Sequence, residues 1–314
     1  MAVSTPEARP PLIVICGATA TGKTGLSLAI ADALGHAQII SADSRQVYRG
    51  MDIGTAKVMA AERARVPHHG LDLVDPDAAF TVADYVRHAD AALSQIAAAG
   101  DTAILVGGTG LYLRAVARGI PVTETGHDAT YRAELERRLT GEGLPALVSD
   151  LRRTAPGVAS RTDLANPRRV IRALERTSIT GDASPPAPVG YPGPVLWLGL
   201  SVEPVAHRAA ILARARQQFA DGLIDEARAL RERYGSHHRA FSAVGYHEAW
   251  AVLDGQMTID AAIAADAQRN WAYARRQRTW FRSEPDIFPL VGGDATAEAT
   301  VLVRERLATI KAPR

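Results

Sequence analysis

The sequence predicts an α/β protein, a parallel sheet flanked by helices, with a helical insertion domain. Three observations lead there. Short apolar runs read as buried strands, helical stretches alternate with them, and between about residues 126 and 182 the pattern changes to charge-dense helical sequence. With 314 residues, 47% of them hydrophobic, the chain can bury a large core and still form a smaller module.

Residues 1–10 are polar with two prolines and are expected to form a disordered tail. Leu12 to Cys16 reads as the first strand, followed by a glycine-rich turn and a helix that begins near Gly22. Gln38 to Ser41 is the second strand, followed by a polar turn and helical sequence, and Thr102 to Val106 is the third, followed by Gly107-Gly108-Thr109-Gly110. Within the insertion, Tyr131 to Leu139 and Arg168 to Thr177 read as helices, with Asn166-Pro167 as cap and first residue of the latter. Gly181 to Pro194 holds five prolines and three glycines and reads as an exposed connector to a fourth strand, Val195 to Leu200. Beyond Glu203 the pattern is mostly helical. The expected division is a core of 11–125 and 183–314 and an insertion of 126–182.

A single cysteine, Cys16, excludes an intrachain disulfide and a tetrahedral cysteine-based zinc site. The longest apolar run near the start, Pro11 to Cys16, is too short to span a bilayer and no basic leader precedes it, so a cytoplasmic protein without membrane attachment is expected. The net charge of +2 says little about partners, but 33 of the 36 cationic side chains are arginine. Genome base composition accounts for such a ratio, and so does a need for the planar fork that suits phosphate.

Gly17-Ala18-Thr19-Ala20-Thr21-Gly22-Lys23-Thr24 fits G-x-x-x-x-G-K-[ST] between a predicted strand and a predicted helix, which makes the core P-loop NTPase-like. Loop N–H groups would cradle phosphate oxygens, Lys23 would add a point charge, and the Thr24 hydroxyl would reach Mg2+. An ATPase also needs a carboxylate at the end of a strand to hold magnesium. Here the third strand ends in glycines and Thr109, and the run Leu71 to Asp75 is a weak substitute, interrupted by Asp72 and followed by Pro76.

Gly107 to Tyr112 suggests close backbone approach to a ligand with Thr109 as a donor, or a tight turn without one. Asp43, after the second strand, falls in the same crevice, because ligands of open α/β sheets bind outside the carboxyl ends of the strands. It could bind magnesium, accept a proton, or cap a following helix. The adjacent His68 and His69 are left as structural, since neighbours in a strand point to opposite faces.

Together these motifs resemble the tRNA dimethylallyltransferases, the isopentenyl-diphosphate transferase family. The resemblance runs through GATATGKT, ADSRQVYRGMDIGTAK, VPHH, GGTGLYLRA, NPRRVIRALE, FSAVGYHEAW and ARRQRTWFR, in order and over most of the chain. It implies transfer of a dimethylallyl group from dimethylallyl diphosphate to N6 of the adenosine 3′ of the anticodon, adenosine 37, in tRNAs reading codons that begin with U. The general base then falls on Asp43, the donor to the bridging diphosphate oxygen on Thr109, and further diphosphate contacts on Lys23, Thr24 and Arg214, eight residues before Gly222-Leu223. Ser44 and Gln46 fall at the target adenine, and Arg168, Arg172, Arg275, Arg276 and Gln277 on the tRNA. The implied cofactor is Mg2+, and a monomer bound to a tRNA anticodon stem-loop is expected. Two departures stand out: Ala18 replaces the usual proline, and Asn270-Trp271-Ala272 replaces Thr-Arg before the tyrosine block.

The chemistry of the residues agrees. The adenine amine is a poor nucleophile, so a carboxylate accepting its proton contributes about 10²–10⁴-fold, and cations around a departing diphosphate stabilise its growing charge. Between Arg269 and Arg282 lie five arginines, four aromatic side chains and no acid. On a helix, Trp271, Arg275, Arg278 and Arg282 share one face and Arg269, Tyr273, Arg276 and Trp280 another, so that one face packs and the other meets RNA, or both are solvated charge. Two rivals share the donor loop, an adenylate isopentenyltransferase and a P-loop small-molecule kinase. A third is an RNA-binding protein with a vestigial loop.

Overall fold

The computed structural model describes residues 9–122, 129–183, 186–292 and 295–311. The expected tail (residues 1–8 of it), the expected start of the insertion at 126, and residues 184–185 of the connector lie outside these. In chain order the first elements are β1 (Leu12–Gly17), α1 (Lys23–Leu34), β2 (Ala37–Ser41), α2 (Ala60–Arg65), β3 (His68–His69), α3 (Val82–Ala98), β4 (Thr102–Gly107) and α4 (Gly110–Ala117). Then come α5 (Ala129–Glu142), α6 (Leu144–Thr154), α7 (Pro156–Ala159) and α8 (Pro167–Thr180). The chain continues with β5 (Val195–Ser201), α9 (Pro204–Ala220), α10 (Leu223–Tyr234), α11 (Tyr246–Leu253), α12 (Ile259–Arg282), β6 (Ile287–Val291) and α13 (Ala295–Lys311). Among the described residues no helix is long and apolar enough to cross a membrane.

The chain divides into two compact units, one running to Ile120 and resuming at Val189, the other Pro121–Pro188. The first holds a six-stranded parallel sheet of order β3-β2-β4-β1-β5-β6. All six residues of β1 are buried, as a central parallel strand covered on both faces requires. Its side chains alternate between two cores. Ile13 and Ile15 pack with Leu26 and Ile30 of α1 and Val303 of α13, whereas Leu12, Val14 and Cys16 pack with Leu93 and Ile96 of α3 and Leu113 of α4. A third core gathers Phe219, Leu223, Phe241, Tyr246 and Trp250 around Val47 and Met51 of the segment after β2.

Three expectations change here. Strands β3 and β6 were not anticipated, because β3 is two residues long and β6 is an edge strand broken by Pro289, where a missing N–H costs no ladder bond. After Ser41 the chain enters turns, and the next helix starts only at Ala60, so Asp43 has no helix to cap. On α12 the buried residues are Ala262, Asp266, Ala274 and Gln277, a seam lying between the two predicted arginine faces.

The second unit is helical, with Leu135, Leu147, Leu151, Val170, Ile171 and Leu174 as its core. Asn166 caps α8 as its sequence suggests, accepting from the N–H groups of Arg168 and Arg169 at 3.1 and 3.3 Å.

Candidate active site

The loops after β1, β2 and β4 meet at the carboxyl edge of the sheet. Gly17–Thr24 turns from β1 into α1 with Ala20 at φ 57° and Gly22 at φ 90°, a left-handed path that aims successive N–H groups inward. Lys23 donates from Nζ to its own loop's Ala18 carbonyl at 2.6 Å. Desolvation lowers its pKa to about 8; Asp43 opposes that shift and Arg214 adds to it. The Thr24 hydroxyl makes no hydrogen bond among the described residues and lines a cleft with Lys23, Asp43, Gln46 and Arg214.

Helices α9 and α12 grip this loop at Thr19. Its N–H donates to Gln277 Oε1 at 2.8 Å, its carbonyl lies 2.8 Å from His207 Nε2, and its hydroxyl accepts from Arg214 Nη1 at 2.9 Å. Gln277 Nε2 donates in turn to the Gly108 carbonyl at 2.9 Å, so one amide ties the phosphate loop to the loop after β4. Burial lowers the Arg214 pKa, while Asp43 and Asp266 pull it up.

Across the crevice, Asp43 Oδ1 accepts from the Arg45 N–H at 2.8 Å, an Asx turn that fixes the carboxylate without help from a helix. The N–H of the next residue, Ser44, donates to Thr109 Oγ1 at 3.0 Å. The Thr109 hydroxyl reaches Ser44 Oγ at 3.4 Å. On α12, burial first, then Asp43, pushes the Tyr273 phenol up to about 12. Gln46 accepts from Ser41 Oγ at 2.8 Å and donates to the carbonyls of Thr55 and Ala56 at 3.1 and 3.3 Å. Its oxygen keeps one lone pair.

The predicted residues thus separate into groups. Asp43, Gln46 and Arg214 line one cleft with Lys23 and Thr24, while Ser44 and Thr109 bond to each other. Arg275 and Arg276 are exposed on α12, Arg276 lying 5.7 Å from the Tyr273 ring centroid. Arg168 and Arg172 are exposed on α8, Arg172 pairing with the buried Glu175 at 3.7 Å. Gln277, expected among the tRNA contacts, is buried and turned inward to the two loops. Asp72, the weak substitute for a magnesium carboxylate, is held by Lys57 and Arg63 at 2.5 and 2.7 Å. His68 and His69 bond to the Val66 carbonyl and to Gln38 Oε1.

Sequence reasoning missed His207, although seven residues separate it from Arg214, about two helical turns, and put both on one face. It also missed Glu226, which accepts from the N–H groups of Asp52, Ile53 and Gly54 and from the Tyr246 hydroxyl, steadying the segment that ends at the Gln46 partners Thr55 and Ala56. No local pattern announces such a contact across the fold.

No group of three or more His, Cys, Asp or Glu side chains able to hold a metal occurs among the described residues. Mg2+ bound with a phosphorylated substrate keeps several waters and needs only one or two protein oxygens. The unpaired Thr24 hydroxyl and the Asp43 carboxylate line one cleft and fit it.

Comparison with known proteins supplies the family. The sequence model described as IPP transferase matches residues 46–284. A tRNA dimethylallyltransferase of Roseiflexus sp. (strain RS-1) is 43% identical over 302 residues, covering 94% of this chain and 98% of its own. Another, of Symbiobacterium thermophilum, is 41% identical over 306 residues, covering 94% and 96%. The crystal structure of a full-length tRNA isopentenylpyrophosphate transferase from Bacillus halodurans superposes with a TM-score of 0.71 at 37% identity, covering 96% of this chain and 98% of that one. A eukaryotic dimethylallyltransferase acting on tRNA shares the fold, with a TM-score of 0.80 at 23% identity over 97% of this chain and 82% of that one. With a family match over most of its length and relatives above 40% identity, the chain belongs to the IPP transferase family.

Proposed function

We propose that the chain transfers a dimethylallyl group from dimethylallyl diphosphate to N6 of adenosine 37 in tRNAs that read codons beginning with U, giving N6-isopentenyladenosine. One observation carries this reading. Asp43 is the carboxylate felt by Lys23, Arg214 and Tyr273 together, in a crevice where β4 ends in glycine and not in the acid a nucleotide hydrolase uses.

N6 attacks C1 of the allyl chain while the C1–O bond breaks and its electron pair leaves with diphosphate. Asp43 takes the N6 proton. The Thr109 oxygen accepts from the Ser44 N–H, and its hydrogen, which reaches Ser44 Oγ only at 3.4 Å, turns to the bridging oxygen. Loop N–H groups, Lys23 and Arg214 meet the charge that develops on the diphosphate. Thr24 would hold Mg2+, which would supply further neutralisation of that charge. Ser44 and the remaining lone pair of Gln46 face the adenine.

The target base must leave its stack, at a cost of a few kcal/mol. Arg275 and Arg276 of the core (11–125 and 183–314), and Arg168 and Arg172 of the insertion (126–182), serve as phosphate contacts to the anticodon stem-loop. The protein acts as a cytoplasmic monomer. Labelled dimethylallyl diphosphate offered with undermodified tRNA, AMP, or ATP and small acceptors tests the proposal. Label is expected in tRNA, and label in AMP alone sinks it.

A further inference from the structure

The turn Asp52–Lys57 is held from three sides. Glu226, in the first turn of α10, accepts from the N–H groups of Asp52, Ile53 and Gly54 at 3.0, 2.7 and 3.0 Å and from the Tyr246 hydroxyl at 2.7 Å, so both its oxygens are taken. Gln218 Nε2 donates to the carbonyls of Ile53 and Gly54 at 2.6 and 3.0 Å. Lys57 Nζ closes the far end on the Tyr48 carbonyl, Asp52 and Asp72 at 2.6, 2.8 and 2.5 Å. Inside this frame Ala56 sits at φ 46°, a left-handed conformation that a residue other than glycine keeps only where its surroundings enforce it.

The frame presents two carbonyls, those of Thr55 and Ala56, to which Gln46 Nε2 donates at 3.1 and 3.3 Å. A carbonyl only accepts, so the pair decides which end of the amide faces it and uses both amide hydrogens. Gln46 lines the cleft with Asp43, and beyond the bond from Ser41 its oxygen has one lone pair to offer there. An acceptor matches the adenine N6 amine, which is a donor, whereas a reversed amide would set N–H against N–H. We infer that Glu226 is a positioning residue for the acceptor base, holding the turn so that the Gln46 oxygen stays aimed at N6. The inference rests on the reading of Gln46 at the target adenine and deepens it. Without the carboxylate, Ala56 is free to relax from its left-handed conformation, its carbonyl swings away, and the Gln46 amide loses what fixes its sense.

A double-mutant cycle on the full chain tests this, read as kcat/KM for undermodified tRNA at saturating dimethylallyl diphosphate, with thermal unfolding midpoints recorded. Glu226→Gln puts an amide nitrogen in place of one acceptor oxygen and leaves at least one N–H of the turn unpaired. Its kcat/KM is expected to fall about 10–100-fold, while the dissociation constant for inorganic diphosphate stays within about twofold of wild type. In a Gln46→Leu background the same substitution is expected to cost less than about threefold, because the side chain it acts through is gone. If Glu226→Gln does not fold, Tyr246→Phe, which takes one donor from the carboxylate, enters the cycle in its place with an expected loss of about three- to tenfold. Equal losses in the two backgrounds, an unchanged kcat/KM in the folded variant, or a matching loss of diphosphate binding overturns the inference and leaves Gln46 at the adenine. Gln46→Leu with wild-type kcat/KM, or a wild-type chain that transfers nothing to tRNA, overturns it together with the reading on which it rests.

Discussion

The Ser44 N–H donates to the Thr109 hydroxyl oxygen at 3.0 Å, tying the segment after β2 to the start of α4. The hydroxyl donates back to Ser44 Oγ at a long 3.4 Å, a weak bond that a better acceptor replaces. Thr109→Ala removes a donor that acts on the leaving group, and single-turnover rates are expected to fall about 10²–10³-fold. Thr109→Ser keeps the hydroxyl and is expected to stay within about tenfold of wild type. Equal losses in the two variants would show that the methyl group, and not the hydroxyl, matters.

Asp43 is held by the Arg45 N–H, a contact an asparagine side chain reproduces. Asp43→Asn therefore keeps the geometry and loses the proton acceptor. Turnover should drop about 10²–10⁴-fold while the dissociation constant for dimethylallyl diphosphate changes little. Unchanged turnover would remove Asp43 from the role of base.

The legible part of this site was its local part. Gly17–Thr24 and Gly107–Gly110 announce themselves because a phosphate cradle and a close backbone approach each need particular residues in a short stretch. A Cβ at Gly107 would sit 2.1 Å from the Ala42 carbonyl oxygen, a contact only glycine permits. The inward turn of Gln277 was not legible, because helical spacing places it among arginines and nothing local says that small Ala274 lets α12 sink onto the loops. Asp43 lies in the cleft, and of the readings its residue type left open the helix cap falls away, because its turn leads into no helix. Asp and Ser serve both structures equally well.

Lys23 titrates near 8 because desolvation disfavours its charge. Diphosphate binding needs that charge, so affinity should weaken as pH rises through about 8, by up to about tenfold per unit for one linked proton. In the free protein the sign is opposite. Between about 8 and 10.5 the folded chain has released a proton that the unfolded chain retains, and stability rises with pH across that window. Calorimetry on wild type and Lys23→Met checks the first statement, since the variant carries only the titration of the probe.

Gly110 opens α4 beneath Trp280, and an added Cβ would meet the indole Cε3 at 2.4 Å. Arg114 lies 4.1 Å from the centroid of the same ring, so the indole is held on its other contacts as well. Gly110→Ala should cost about 1–3 kcal/mol of stability, and it should also slow transfer by displacing Thr109. Gly25→Ala is the control, because no atom lies within 4 Å of the new methyl on α1. There, a gain of about 0.5–1 kcal/mol is expected from helix propensity. Urea unfolding of the two variants reads both, and a Gly110→Ala protein as stable as wild type would mean that α12 yields at Trp280.

Asp266 lies on α12, 1% exposed, with Oδ1 accepting from Asn270 at 2.7 Å and Oδ2 without a partner. Burial is the main cause that lifts its pKa from 3.8 to about 6; the Asn270 bond opposes the rise and Glu248 adds to it. Between those values the folded protein keeps a proton that the unfolded chain has lost. Its contribution to stability is therefore complete below 3.8 and is lost as pH rises through about 6. A shift of this size corresponds to about 3 kcal/mol. Asp266→Asn has no proton to lose, so its stability relative to wild type should improve by that amount between about pH 4 and pH 7 and then level off. Urea unfolding at a series of pH values measures the difference, and a flat difference would mean that the carboxylate finds solvation or a partner as it ionises. Arg214 is the cation whose field reaches Asp266 from α9, so a flat difference that regains its slope in Arg214→Met would identify that partner as the diphosphate-binding arginine itself.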